Sequence, residues 1–335
     1  MPTPQTVLAG AAEREENPDS QPTLPLATVY FTDPYGETGS QPDREVVAAI
    51  DAAQNAIQVA MYNFTLDNVT DALLRANQRG VNVQVVLDSN TMQSVQARRL
   101  ADAGIKVVGD NRQESMHNKF LVIDQQQVWT GSLNMTYGGT YNDHNNIVRL
   151  VDTRINQNYT TEFLEMYEGG FFGTDSPSNT PFPSIVHEDT ILEVYFSPDD
   201  GVMAQIVPLV QGAQESIDIL AFSLTSDDLA NALLLKSGQG VNVRAVFDAE
   251  QVDSNTGGKY QVLQDAGLDV RRDTLEGLMH HKVIVVDNQV VLFGSYNFSN
   301  NAEHKNDENV VIVYDAHLSG EFTQEFEGIY ERSVP

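Results

Sequence analysis

The chain has 335 residues, 41% of them hydrophobic, which is enough for a large core and on length alone suggests two domains. Its net charge is -28, from 19 Lys+Arg against 47 Asp+Glu. That balance argues against strong non-specific binding to nucleic acid or to anionic membranes, although it does not fix where local positive charge lies. There is no cysteine, so disulfides, cysteine metal sites and thiol catalysis are excluded.

In chain order, residues 1–24 are rich in Pro, Glu, Gln and Ser and read as a disordered leader. They show neither the basic start nor the apolar run of an export signal. The absence of cysteine fits an extracytoplasmic or secreted protein whose export signal is missing from this sequence. Residues 57–62 predict an apolar strand. Residues 66–79 have helical spacing (Val69, Leu73, Leu74), ended by Gly80. VNVQVVLD predicts a second strand, and 92–103 a second helix ended by Gly104. KFLVID and QVWTGS predict two strands around a short turn at Gln125–Gln127, and a helix at EFLEMYE closes the half.

The same order then recurs. Segment 57–88 aligns without a gap on 217–248 at an offset of 160, and Asp102-Ala103-Gly104 meets Asp265-Ala266-Gly267 at an offset of 163. EFLEMYE (162–168) resembles EFEGIYE (325–331). The chain is an internal duplication of an α/β unit: a first lobe at 25–168, a Gly/Pro/Ser-rich linker at 169–190 and a second lobe at 191–335.

One pattern occurs once in each half. The first copy is His117-x-Lys119-x4-Asp124-x6-Gly131-Ser132-x-Asn134; the second is His280-x-Lys282-x4-Asp287-x6-Gly294-Ser295-x-Asn297. Strand side chains at i and i+2 share a face, so each His projects with its Lys. Asp124 and Asp287 have the opposite parity and are read as structural. Each Gly-Ser-x-Asn closes the next strand, where the hydroxyls of Ser132 and Ser295 and the amides of Asn134 and Asn297 would meet substrate. One half supplies a single imidazole, whereas cleavage through a covalent intermediate needs a nucleophile and a separate acid. Packing the halves about a pseudo-two-fold axis supplies both, with Lys119 and Lys282 carrying the positive charge that a metal supplies elsewhere. No metal or cofactor is expected, and a monomer suffices. His281 faces away from His280. His187, His304 and His317 lack metal-ligand spacing. Arg112, Arg149, Arg271, Arg272 and Lys305 are placed on the surface and Trp129 in the core. Phe171, Phe172 and Phe182 pack over the lobe interface or else form an exposed apolar loop.

The HxKxxxxD-x6-GSxN pattern resembles the phospholipase D superfamily over nearly the whole chain after about residue 25. The resemblance implies a two-lobed fold with the site at the interface, a phosphohistidine intermediate and no metal. It also implies that a Glu downstream of one motif orients a histidine, commonly the one in the other half. Asn306-Asp307-Glu308-Asn309 provides Glu308 for His117, which favours His117 as nucleophile and His280 as general acid. Laid against it, Asn142-Asp143-His144-Asn145 puts His144 where the Glu would be, with Asp143 as another candidate partner for His280. The compact halves favour a nuclease acting on DNA or RNA. The alternative is a phospholipase D acting on a neutral or zwitterionic lipid, and a third reading is a non-catalytic binding scaffold.

Overall fold

The computed structural model describes residues 24–335, so the expected leader lies outside the described residues apart from Leu24. The first half runs β1 (Ala27–Phe31), α1 (Pro42–Ala52), β2 (Ala56–Met61), α2 (Asp67–Gln78), β3 (Asn82–Leu87), α3 (Val95–Asp102), β4 (Val107–Gly109), β5 (Lys119–Ile123), β6 (Gln127–Gly131), α4 (Tyr137–Tyr141), β7 (Asn146–Leu150) and α5 (Thr153–Leu164). The second runs β8 (Ser184–His187), β9 (Thr190–Ser197), α6 (Met203–Gly212), β10 (Ser216–Ala221), α7 (Asp227–Gly238), β11 (Asn242–Phe247), α8 (Ala249–Ser254), α9 (Tyr260–Asp265), β12 (Asp269–Arg272), β13 (Lys282–Val286), β14 (Val290–Gly294), α10 (Asn300–His304), β15 (Glu308–Tyr314) and α11 (Ala316–Arg332). Each half thus has more strands than its periodicity predicts. β4 is too short to show a pattern, and β7 and β15 are buried along most of their length and so lack polar alternation.

The seven-stranded sheet has the order β1-β7-β6-β5-β2-β3-β4, and the eight-stranded sheet the order β12-β11-β10-β13-β14-β15-β9-β8. Both are mixed: β2 and β3 are parallel, while β5 runs antiparallel to β2 and to β6. The outer apolar faces carry α1 and α2 on one lobe and α6 and α7 on the other. Between the sheets, Tyr159 and Phe163 of α5 and Phe322 and Phe326 of α11 share one buried cluster with Phe120 of β5 and Phe293 of β14. The lobes therefore share a core, and the strand ends that carry the two motifs are held against each other by it. Phe172 and Phe182 join that cluster, while Phe171 is exposed; the segment expected as a linker also contains β8. Trp129 is buried and stacks on Tyr30 at 5.6 Å between centroids. Gly80 and Gly104 lie just past α2 and α3 at φ of 89° and 83°, the left-handed position that ends a helix. Among the described residues, no helix is long and apolar enough to cross a membrane.

The motif aspartates form the hairpin turns that aim β5 and β13. Asp124 and Gln125 both have positive φ, as do Asp287 and Asn288, the central residues of turns closed by Gln126 N–H on the Ile123 carbonyl and Gln289 N–H on the Val286 carbonyl, both at 3.0 Å. The Asp124 carboxylate also accepts hydrogen bonds from the backbone N–H of Gln54, Asn55 and Ala56 at 2.8, 2.7 and 3.0 Å. Asp287 grips Gln214, Glu215 and Ser216 in the same way, at 2.8, 2.7 and 2.9 Å. Replacing either Asp with Ala is expected to cost about 1–3 kcal/mol and to lower the unfolding temperature measured by calorimetry. An unchanged unfolding temperature with activity lost would instead give the carboxylate a direct role in the site.

Candidate active site

Each motif histidine lies just before its strand and is tied to the other lobe by backbone. His117 N–H donates to the Asp307 carbonyl, and His280 N–H to the His144 carbonyl, both at 2.9 Å. The residue after each of these anchors then reaches the ring. His117 Nδ1 lies 2.9 Å from Glu308 Oε2, and His280 Nδ1 lies 2.8 Å from Asn145 Oδ1. These contacts leave Nε2 of each ring as the atom available for chemistry.

The partner of His280 is thus Asn145, not His144 or Asp143. The expected alignment slipped by one residue. Gly131 pairs with Ile147 and Gly294 with Val310, so the position two residues before each partner is Asn145 or Glu308. A one-residue slip on a strand turns a side chain to the opposite face. Accordingly, the His144 ring is buried with neither nitrogen hydrogen-bonded, packed edge-on to Tyr35 at 5.4 Å. Asp143 accepts instead from the Leu278 N–H at 3.0 Å.

The two histidine partners differ in charge but are both firmly held. Asn145 Nδ2 donates to the Gly139 carbonyl at 2.9 Å, which fixes its Oδ1 toward His280. The fully buried Glu308 also accepts from the Asn297 N–H at 3.2 Å and from Asn306 Nδ2 at 3.1 Å. Ser132 and Ser295 depart from the substrate contact expected of them. Both are fully buried; Ser132 Oγ donates to Asn145 Oδ1 at 2.8 Å, and Ser295 Oγ accepts from the Asn309 N–H at 3.0 Å. Their strand parity turns them behind the site, where Ser132 braces the His280 partner itself and Ser295 the residue after Glu308. Asn134 and Asn297 are half-buried, and each keeps a buried Oδ1 without a hydrogen-bond partner.

The lysines are more deeply buried than a strand lysine usually is, at 1% exposure for Lys119 and 0% for Lys282. Each Nζ donates to the carbonyl of its own histidine, at 2.7 and 2.6 Å. An aromatic ring floors each pair. Tyr62 lies 4.6 Å from the His117 ring and 5.0 Å from Lys119 Nζ; Phe222 lies 4.7 Å from the His280 ring and 4.5 Å from Lys282 Nζ. Sequence reasoning missed both aromatics, although they occupy matching places in the ungapped repeat, just beyond β2 and β10. His281 lies on the other side of β13, buried between Asn146 and Glu325.

Burial governs the charge states. It pushes His117 down to about 4, with Glu308 opposing and Lys119 adding to the shift. Burial, then Lys282 and Lys119, holds His280 well below the ordinary imidazole value. Lys119 is brought down to about 7 by burial against the pull of Glu308, and Lys282 falls well below the usual range through burial and the neighbouring Lys119. Lys119 also acts on Lys282 and on the His280 ring, so the two half-sites form one cluster.

A family model described as "Cardiolipin synthase, PLD-like domain" matches the chain twice, at residues 46–167 and 206–330. The mitochondrial cardiolipin hydrolase of Xenopus tropicalis is 35% identical over 136 residues, which cover 41% of this chain and 64% of that protein. The phospholipase D of Rickettsia prowazekii (strain Madrid E) is 34% identical over 129 residues, 38% of this chain and 62% of that protein. Each match spans less than two thirds of the relative's own length. The phosphatidylserine synthase structure from Haemophilus influenzae Rd KW20 superposes with a TM-score of 0.67, covering 91% of this chain and 86% of that one at 14% identity, a likeness of fold.

Proposed function

The chain belongs to the phospholipase D superfamily, and we propose from that premise that it hydrolyses phosphodiesters through a covalent phosphohistidine on His117, without a metal. The observation that carries this reading is the buried carboxylate of Glu308 on His117 Nδ1, which leaves Nε2 of a neutral ring free to attack phosphorus. His280 protonates the departing alcohol oxygen. It then takes a proton from water, which attacks phosphorus and releases His117. Burial, then repulsion from the two lysines, holds His280 low; a diester anion bound between the lysines offsets that repulsion, so His280 binds the proton it later donates. Lys119, Lys282 and the amides of Asn134 and Asn297 hold the non-bridging oxygens. Both half-sites lie on one chain, so a monomer suffices.

For substrate, the surroundings support a phospholipid with a neutral or zwitterionic head group over nucleic acid. A nucleic-acid track needs a row of available cations. Beside the site, Lys259 pairs with Asp227, Arg272 with Asp253, and Arg112 with Asp307. The names of the two relatives, phospholipase D and cardiolipin hydrolase, support a phospholipid over nucleic acid.

The test is head-group release from short-chain phospholipid in neutral detergent, beside cleavage of single-stranded DNA, all in excess EDTA. Lipid turnover that is unchanged by EDTA is the expected result. Loss of turnover that Mg²⁺ restores sinks the mechanism, and cleavage of DNA alone replaces lipid with nucleic acid as substrate. The pH profile of kcat/KM is expected to be bell-shaped. Below about 4, His117 takes up a proton and cannot attack; above about 7, Lys119 loses the charge that stabilises the transition state. A profile that stays flat well above the second limb would remove Lys119 as a charged participant.

A further inference from the structure

We propose that the second lobe carries a subsite for the departing alcohol that selects an uncharged polyhydroxyl group; this deepens the phospholipase reading above and rests on it. In an in-line displacement with His117 as nucleophile, the departing oxygen lies on the side of His280. Phe222, packed on the His280 ring, also lines a cleft of about 540 Å³ that runs outward along the second lobe. The repeat diverges here. The offset between the halves grows from 160 to 163 between Asp248 and Asp265, and α8 with the loop after it forms one wall of the cleft. Asn255 Nδ2 donates to Ser223 Oγ at 2.7 Å, which pins that wall to the strand end beside the site.

The lining specifies the chemistry of the guest. The two charged residues lining the cleft, Asp227 and Lys259, pair with each other. Their charges cancel within the cleft, so neither a cationic nor an anionic head group meets a net opposite charge there. What the cleft offers is amides and hydroxyls, among them Thr225, Gln251, Asn300 and the unpartnered Oδ1 of Asn297. Such a set donates to and accepts from vicinal hydroxyls, and an alcohol lacking them leaves the buried Oδ1 of Asn297 unpaired. The first lobe does not repeat this surface: Tyr137 stands at the place of Asn300 and is exposed. A glycerol-like or sugar-like alcohol fits the second-lobe side.

The experiment compares dioctanoylphosphatidylglycerol with dioctanoylphosphatidylcholine in micelles of an uncharged detergent, in EDTA and at high salt. Wild type is set beside the double variant Thr225→Val, Gln251→Leu. Both substituted side chains are half-buried at the cleft, and circular dichroism checks the fold. Wild type is expected to favour glycerol release by about tenfold or more in kcat/KM, against the repulsion between an anionic lipid and an acidic protein. The double variant is expected to lose most of that preference through a higher KM for the glycerol lipid. Equal rates on both lipids in wild type, or a preference untouched in the variant, would overturn the subsite and leave the phospholipase reading standing. Cleavage of single-stranded DNA with no release from either lipid would overturn that reading and the subsite with it.

Discussion

Replacing His117 with alanine is expected to lower kcat by about 10⁴-fold or more, with the fold retained. The ring is held by one carboxylate and flanked by one aromatic side chain, so its loss removes chemistry more than packing. The informative comparison is His280→Ala on a diester with an activated leaving group such as p-nitrophenolate. That leaving group needs no protonation, so attack by His117 still proceeds. Water then lacks its base, and turnover stalls after a burst of about one equivalent. Acid-quenched His280→Ala protein should carry the phosphoryl group on His117 in a peptide mass map, while His117→Ala should carry none. The reverse pattern, with phosphate on His280, would exchange the two roles. Neither variant bursting or trapping phosphate would remove the covalent intermediate.

How much of this was legible in sequence follows from what side-chain patterns record. His117, Lys119, His280 and Lys282 stand in a spacing repeated without variation, and strand parity places each His with its Lys. The aspartates were legible as structural for the same reason, although the turn begins at Asp124 and not one residue later. The partners of the histidines were harder to read. Asn142-Asp143-His144-Asn145 and Asn306-Asp307-Glu308-Asn309 look alike from their first two residues, but the resemblance is one residue out of step with the sheet. Only the pairing of β6 with β7 and of β14 with β15 fixes the register that sets Asn145 against His280. Ser132 and Ser295 failed for a related reason: a polar residue at a strand end looks like a ligand contact, and here it is a buried brace. The shared core was hidden as well. α5 and α11 bury apolar side chains toward both sheets, which no single-helix pattern reveals.

The register has a consequence for catalysis, and Glu308→Gln tests it. The two histidines sit in equivalent cages, except that one has a carboxylate and the other an amide on Nδ1. In the proposed mechanism Nε2 of His117 bonds to phosphorus, which makes the buried ring a cation near two lysines. A carboxylate on Nδ1 offsets that charge; a glutamine of the same shape does not. The substitution is expected to lower kcat by about 10³-fold, whereas Asn145→Ala, which removes a neutral hydrogen bond from His280, is expected to cost about tenfold. A pH profile separates this electrostatic role from simple loss of packing. Glu308 raises the His117 value against burial and Lys119. Without that charge, His117 holds its proton less tightly, and the acid limb of kcat/KM should move below its wild-type position near 4. A fall in rate with the limb unmoved would make Glu308 a brace for Asn297 and Asn306 and nothing more. A larger loss in Asn145→Ala than in Glu308→Gln would place the developing cation on His280.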